Sequence, residues 1–137
     1  MAVLHTYQKR GPMELWNIVR FQIMIHCHTE EISISEADLD CITLLAINGK
    51  VELTAFCNSA CLDDEREIDE QLDIVKEILK TPQSVRNAIS KLSLMGLVIK
   101  EGRSRKQISV SPSLKLQTSG NILVEIKYVR RDVLKES

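Results

Sequence analysis

The spacing of apolar and polar positions is sharpest between Thr81 and Val110, where it predicts a helix followed at once by a β-hairpin. Val85, Ala88, Ile89, Leu92 and Met95 recur at helical spacing, so they form one buried stripe. Both ends of the helix are marked. Thr81 suits the N-cap, Pro82 the first helical position where a missing donor is harmless, and Gly96 a left-handed stop. The outward positions are then Gln83, Ser84, Arg86, Asn87, Ser90 and Lys91. After the glycine, Leu97-Val98-Ile99-Lys100 and Gln107-Ile108-Ser109-Val110 read as two strands around the tip Glu101-Gly102-Arg103-Ser104-Arg105-Lys106.

Upstream, Ser35 with Asp38 three residues later opens a second helix. Its stripe is Leu39, Ile42, Leu45 and Ala46, and Gly49 ends it. A third helix follows from Glu52 to Cys61, with Leu53, Phe56, Cys57, Ala60 and Cys61 on its apolar side. Before these, Gly11-Pro12 precedes a segment from Met13 to Cys27 that only Glu14, Asn17, Arg20 and Gln22 interrupt, so burial on most sides is expected. Leu15, Ile18, Val19 and Gln22 fit a helix there, while Val19, Phe21, Ile23 and Ile25 alternate as a strand does; the reading leans to helix. It belongs either to the core or to a subunit interface.

From Asp63 to Leu79 the pattern predicts a further helix. Asp64 and Glu67 resemble a capping box, and Ile68, Leu72, Val75 and Leu79 make an apolar stripe. Beyond the hairpin, Ser111-Pro112 is a stop, Leu114 and Leu116 read as semi-extended, and Ser119-Gly120-Asn121 as a turn. Ile122, Val124, Ile126 and Tyr128 then alternate as a strand that needs a partner edge, in this chain or in a neighbouring subunit. The fold class this predicts is α+β, mainly α: one domain over residues 1–137, a winged helix-turn-helix with a β-hairpin wing. Residues 1–31 form an amino-terminal extension, 32–110 the winged-helix core with its acidic helix at 63–79, and 111–137 a carboxy-terminal arm.

Charge changes this picture more than composition does. The net charge is only −1, yet Asp63 to Leu79 holds eight carboxylates against Arg66 and Lys76, and the next segment reverses the sign. Lys80, Arg86, Lys91, Lys100, Arg103, Arg105 and Lys106 face only Glu101 there. Local positive potential is what attracts nucleic acid, and nearby carboxylates weaken it. A polar molecule of this kind also suits head-to-tail packing in a ring. Arg with Asn or Gln on the helix can make bidentate contacts to guanine and adenine edges, and a basic tip can lie along phosphates. The expected DNA-binding residues are therefore Gln83, Ser84, Arg86, Asn87, Ser90, Lys91, Arg103, Ser104, Arg105 and Lys106.

Other chemistries find little support. The 137 residues, 44% hydrophobic and 27% charged, hold one core but no glycine-rich phosphate loop or nucleophile motif, so no catalysis is expected. Aromatics at 4% give no stacking platform for single strands. Cys27, Cys41, Cys57 and Cys61 form no CxxC pair and read as packing thiols in a reducing compartment. His26 and His28 could add zinc-type ligands, but no recognised spacing joins them to the cysteines, so no metal or other cofactor is expected. No apolar run approaches the ~20 residues that cross a bilayer, and the first residues lack signal-peptide order, so a cytosolic protein, or one assembled in a cytosol, is expected.

The string TPQSVRNAISKLSLMGLVIKEGRSRK, preceded by DLDCITLLAINGKVELTAFCN, resembles the short winged-helix proteins, distantly similar to the MarR superfamily, of bacteriophages of gut Bacteroidales (crAss-like phages). The resemblance runs from about Ser35 to Tyr128 and is clearest from Pro82 to Lys106. It implies a small, non-catalytic phage protein with a DNA-binding type of fold. Such folds serve as regulators, as packaging parts and as protein-interaction modules. Two functions are expected in consequence: a transcriptional regulator that binds duplex DNA, with a homo-oligomer as its form, or a virion structural part such as a neck, portal-proximal or tail ring component that meets other virion proteins.

Overall fold

Helix α4 spans Pro82–Leu94, and its boundaries follow from local chemistry. The Thr81 hydroxyl accepts a hydrogen bond from the Ser84 N–H at 3.1 Å, and Pro82 takes the first turn. At the other end Gly96, at φ +79°, lets the Leu97 N–H reach the Leu92 carbonyl at 3.0 Å while its own N–H reaches Ser93 at 3.1 Å. Those two bonds satisfy the last carbonyls as a Schellman turn does. Val85, Ala88, Ile89 and Leu92 are buried, and Met95 packs at the margin.

The computed structural model describes residues 14–63 and 67–118. Before α4 come α1 (Leu15–Thr29), α2 (Glu36–Asn48), β1 (Val51–Glu52) and α3 (Leu53–Ser59); after it come β2 (Val98–Glu101) and β3 (Gln107–Val110). The strands form one antiparallel sheet in the order β1-β3-β2, with Val51 opposite Ile108 and Lys100 opposite Ile108 on the other side. The architecture is α+β and mainly helical. The expected strand from Ile122 to Tyr128, the Ser119-Gly120-Asn121 turn and the Gly11-Pro12 break lie outside the described residues.

Helix α2 is the centre of the molecule. Ser35 caps it by accepting from the Asp38 N–H at 3.1 Å, and every residue from Asp38 to Leu45 except Asp40 is buried. A single stripe was expected; α1 on one side and α4 with β3 on the other bury nearly the whole circumference. Thr43 survives there because its hydroxyl donates to the Leu39 carbonyl at 2.7 Å. Helix α1 corrects the sequence expectation in the opposite sense. Only Val19, Ile23 and Cys27 are buried, one residue per turn, and Leu15, Phe21 and Met24 stay about 40% exposed.

The acidic helix expected over 63–79 is not formed among the described residues, which run there as an irregular strap between α3 and α4. Carboxylates crowded at helical spacing repel each other, and the strap instead packs irregularly: Leu72, Ile74, Ile78 and Leu79 turn inward while Ile68 and Val75 stay exposed. The strap's backbone is satisfied by other parts of the fold. The Leu62 N–H donates to Leu79 at 2.7 Å, Ile78 to Ala60 at 2.9 Å, and Asp69 to the Ser59 hydroxyl at 2.9 Å. Asn48, at the end of α2, accepts from the Asp73 N–H at 2.6 Å and donates to the Asp73 carbonyl at 2.9 Å. Asn48→Ala removes both bonds, so we expect a stability loss of about 1–2 kcal/mol and faster amide exchange confined to residues 67–79. Exchange that quickens equally in α2 and α4 would contradict this account. Leu114, expected to be semi-extended, sits buried in a short 3-10 turn, Pro112–Leu114, capped by Ser111.

Candidate nucleic-acid interface

The hairpin tip is built by three backbone conformations that few side chains tolerate. Gly102 has φ +83° and ψ −177°, Ser104 φ +60° and Arg105 φ +54°, and the Arg105 N–H closes the turn on the Gly102 carbonyl at 3.1 Å. The result is a short 3-10 turn, Arg103–Arg105, that leaves Arg103, Ser104, Arg105 and Lys106 exposed. None of the three cations makes an ion pair among the described residues, whereas Glu101 is met by Lys50 at 3.0 Å. The tip's potential is thus positive with little internal cancellation. Only glycine reaches the Gly102 conformation without strain. A Cβ there would have space, its nearest neighbour being Gln107 Cγ at 3.6 Å, so the cost of Gly102→Ala is conformational. We expect it to cost about 1–2 kcal/mol, readable by thermal melting, and to displace the tip; a melt identical to wild type would contradict the turn geometry.

On α4 the expected outward residues other than Arg86 divide into three groups. Gln83 and Asn87 are exposed and paired, the Gln83 amide donating to Asn87 Oδ1 at 2.8 Å, which holds both amides on one surface. Ser84 and Ser90 are half-buried, and Ser84 is committed to the cap, its hydroxyl 2.8 Å from that of Thr81. Lys91 reaches back to Asp38, a buried residue of α2, at 3.1 Å. Its first task is therefore internal.

Arg86 is the residue that joins the two halves. Its Nη2 donates to the Thr54 hydroxyl, 3.2 Å away on the first turn of α3. One residue earlier, the Leu53 N–H donates to the Lys106 carbonyl at 2.7 Å, and Glu52 lies opposite Gln107 in the sheet. The start of α3 thus touches α4 on one side and the hairpin on the other. Glu52 caps that helix, its carboxylate accepting from the Ala55 N–H at 2.7 Å. Burial works against its charge, but hydrogen bonds from Ala55 and Thr54 and the nearby Lys106 outweigh it and hold its pKa low. Sequence reasoning missed Thr54 and Glu52 as members of this surface; Glu52 was read only as the start of the third helix.

Cys27, Cys41, Cys57 and Cys61 are free and buried. Burial raises the Cys27 pKa, pushes that of Cys57 up to about 11 against the lowering effect of Arg86, and raises Cys41 further. Burial thus favours the neutral thiol at Cys27, Cys41 and Cys57, which suits packing. Among the described residues no group of three or more His, Cys, Asp or Glu is placed to hold a metal ion, and no helix is long and apolar enough to cross a membrane. In comparisons with known proteins, no family model, no curated protein and no solved structure matches this chain.

Proposed function

We propose that this chain binds duplex DNA through α4 and the β2–β3 hairpin, as a non-catalytic winged-helix regulator of the phage type that its sequence resembles. On this reading α4 is the recognition helix and residues 101–106 the wing, and the element order α2-β1-α3-α4-β2-β3 with the sheet order β1-β3-β2 is compatible with it. One observation carries the reading. The Arg86 side chain of α4 and the Lys106 backbone carbonyl of the hairpin meet the same turn of α3, which sets the recognition helix and the basic hairpin side by side. Gln83 and Asn87 face base edges, Arg103, Arg105 and Lys106 lie along phosphates, and Arg86 serves either. Ser84, Ser90 and Lys91 have a smaller part, because the fold uses them for capping and packing.

The long strap between α3 and α4 departs from the short turn of a compact helix-turn-helix, and places a segment rich in carboxylates beside the module. Binding should then rely on the wing more than on α3. Fluorescence anisotropy of labelled duplexes over a range of salt tests this directly. With about four phosphate contacts the logarithm of the binding constant should fall with log salt at a slope of about −4. Absence of binding at low salt, or tighter binding to single strands, would end the DNA reading.

A second reading is favoured by α1, whose Phe21 and Met24 lie one turn apart and about 40% exposed. An apolar stripe of that kind suits a subunit contact, as in a virion structural protein of the neck, portal-proximal or tail ring type. Solution mass together with the salt titration separates the two: a stable ring without duplex affinity supports the virion part.

A further inference from the structure

Glu52 is exposed where α3 begins beside the hairpin, with Gln107 opposite it in the sheet and the cation Lys106 nearby. Arg86 reaches Thr54 two residues along, and Lys106, bonded through its carbonyl to the next residue, lies close enough to favour the Glu52 charge. Among the described residues neither cation makes an ion pair with Glu52 or with another carboxylate. The Glu52 charge is instead fixed in place by the Ala55 N–H at 2.7 Å. It is not spent on a salt bridge, so it acts at short range on whatever approaches the two cations.

We propose that Glu52 is an affinity-setting residue of the duplex-binding surface: its anchored carboxylate lowers the local positive potential, weakens attachment to any phosphate backbone, and leaves discrimination to Gln83 and Asn87. This rests on the DNA reading above. Backbone attachment depends on the number of effective cations, whereas base contacts do not, so a fixed negative charge among the cations trims sequence-independent binding more than it trims a specific site. A unit charge a few ångströms from a phosphate at a protein surface is worth about a fivefold change in binding.

The test uses the full chain with random-sequence duplexes across a salt range, comparing wild type, Glu52→Ser, Glu52→Gln and Glu101→Gln. Serine keeps a capping oxygen for α3 without the charge, so a change shared by the serine and glutamine variants is electrostatic and not a folding effect. Both Glu52 variants should bind about fivefold more tightly at low salt and with a steeper salt dependence, and Glu101→Gln should change little because Lys50 already neutralises that carboxylate. Wild type that binds while both Glu52 variants bind equally or more weakly overturns the inference alone. No binding by any of the four proteins overturns the inference and the DNA reading together.

Discussion

Replacing Arg103 and Arg105 together with alanine should weaken duplex binding by about 100-fold at low salt and reduce the salt slope by about 2, with the melting temperature nearly unchanged. Both side chains are exposed on the 3-10 turn and neither forms an ion pair among the described residues, so their removal takes nothing from the folded core. Each contact with a phosphate releases roughly one counterion, and the loss should be nearly the same on every sequence tested. Isotherms at several salt concentrations check the slope. Equal affinity for the double variant, or a loss that depends on sequence, would take the hairpin out of the phosphate role.

Lys91→Ala should act on stability instead, by about 2 kcal/mol, because it leaves the carboxylate of Asp38 buried without its partner. The full cost of breaking a buried pair is larger, but Lys91 is 58% exposed and water screens part of it. Asp38→Asn in the Lys91→Ala background should recover much of the loss, since a neutral amide tolerates the site better than an unpaired charge. A denaturant melt of both single variants and the double variant gives the coupling. Strict additivity would show that the pair does not act as one unit. Duplex affinity of folded Lys91→Ala should fall only by the few-fold expected for one partly screened cation, which separates Lys91 from Arg103 and Arg105 despite their similar appearance in the sequence.

Those two outcomes mark where sequence patterning was sufficient. Helix α4 was legible because its signals are local: Thr81, Pro82 and Gly96 act within one turn of themselves, and its buried stripe needs no knowledge of what it packs against. The Ser35 cap and Gly49 stop of α2 were legible for the same reason. The strap was not. Ile68, Leu72, Val75 and Leu79 fit a helix as well as anything, and only the tertiary bonds from Asn48, Ser59 and Ala60 show that an extended path satisfies the backbone better. Helix α1 was over-assigned to burial because apolar content says how much surface wants cover, not how much the fold supplies.

The candidate surface divides in the same way. Exposure of Gln83, Asn87, Arg103 and Arg105 follows from helix phase and turn composition, both visible in the chain. The pairing of Lys91 with Asp38, 53 positions apart in sequence, and of Arg86 with Thr54, 32 apart, depends on how α2, α3 and α4 cross. Glu52 and Thr54 entered the surface only through that crossing.

The most direct test of one continuous surface is a titration of nitrogen-15-labelled protein with a short duplex at low salt, followed residue by residue. Amide shifts should concentrate in residues 83–91, 101–107 and 53–55 and move together with a single affinity. Shifts confined to α1, or none at all while the protein stays folded, would contradict the joint role of α4 and the hairpin.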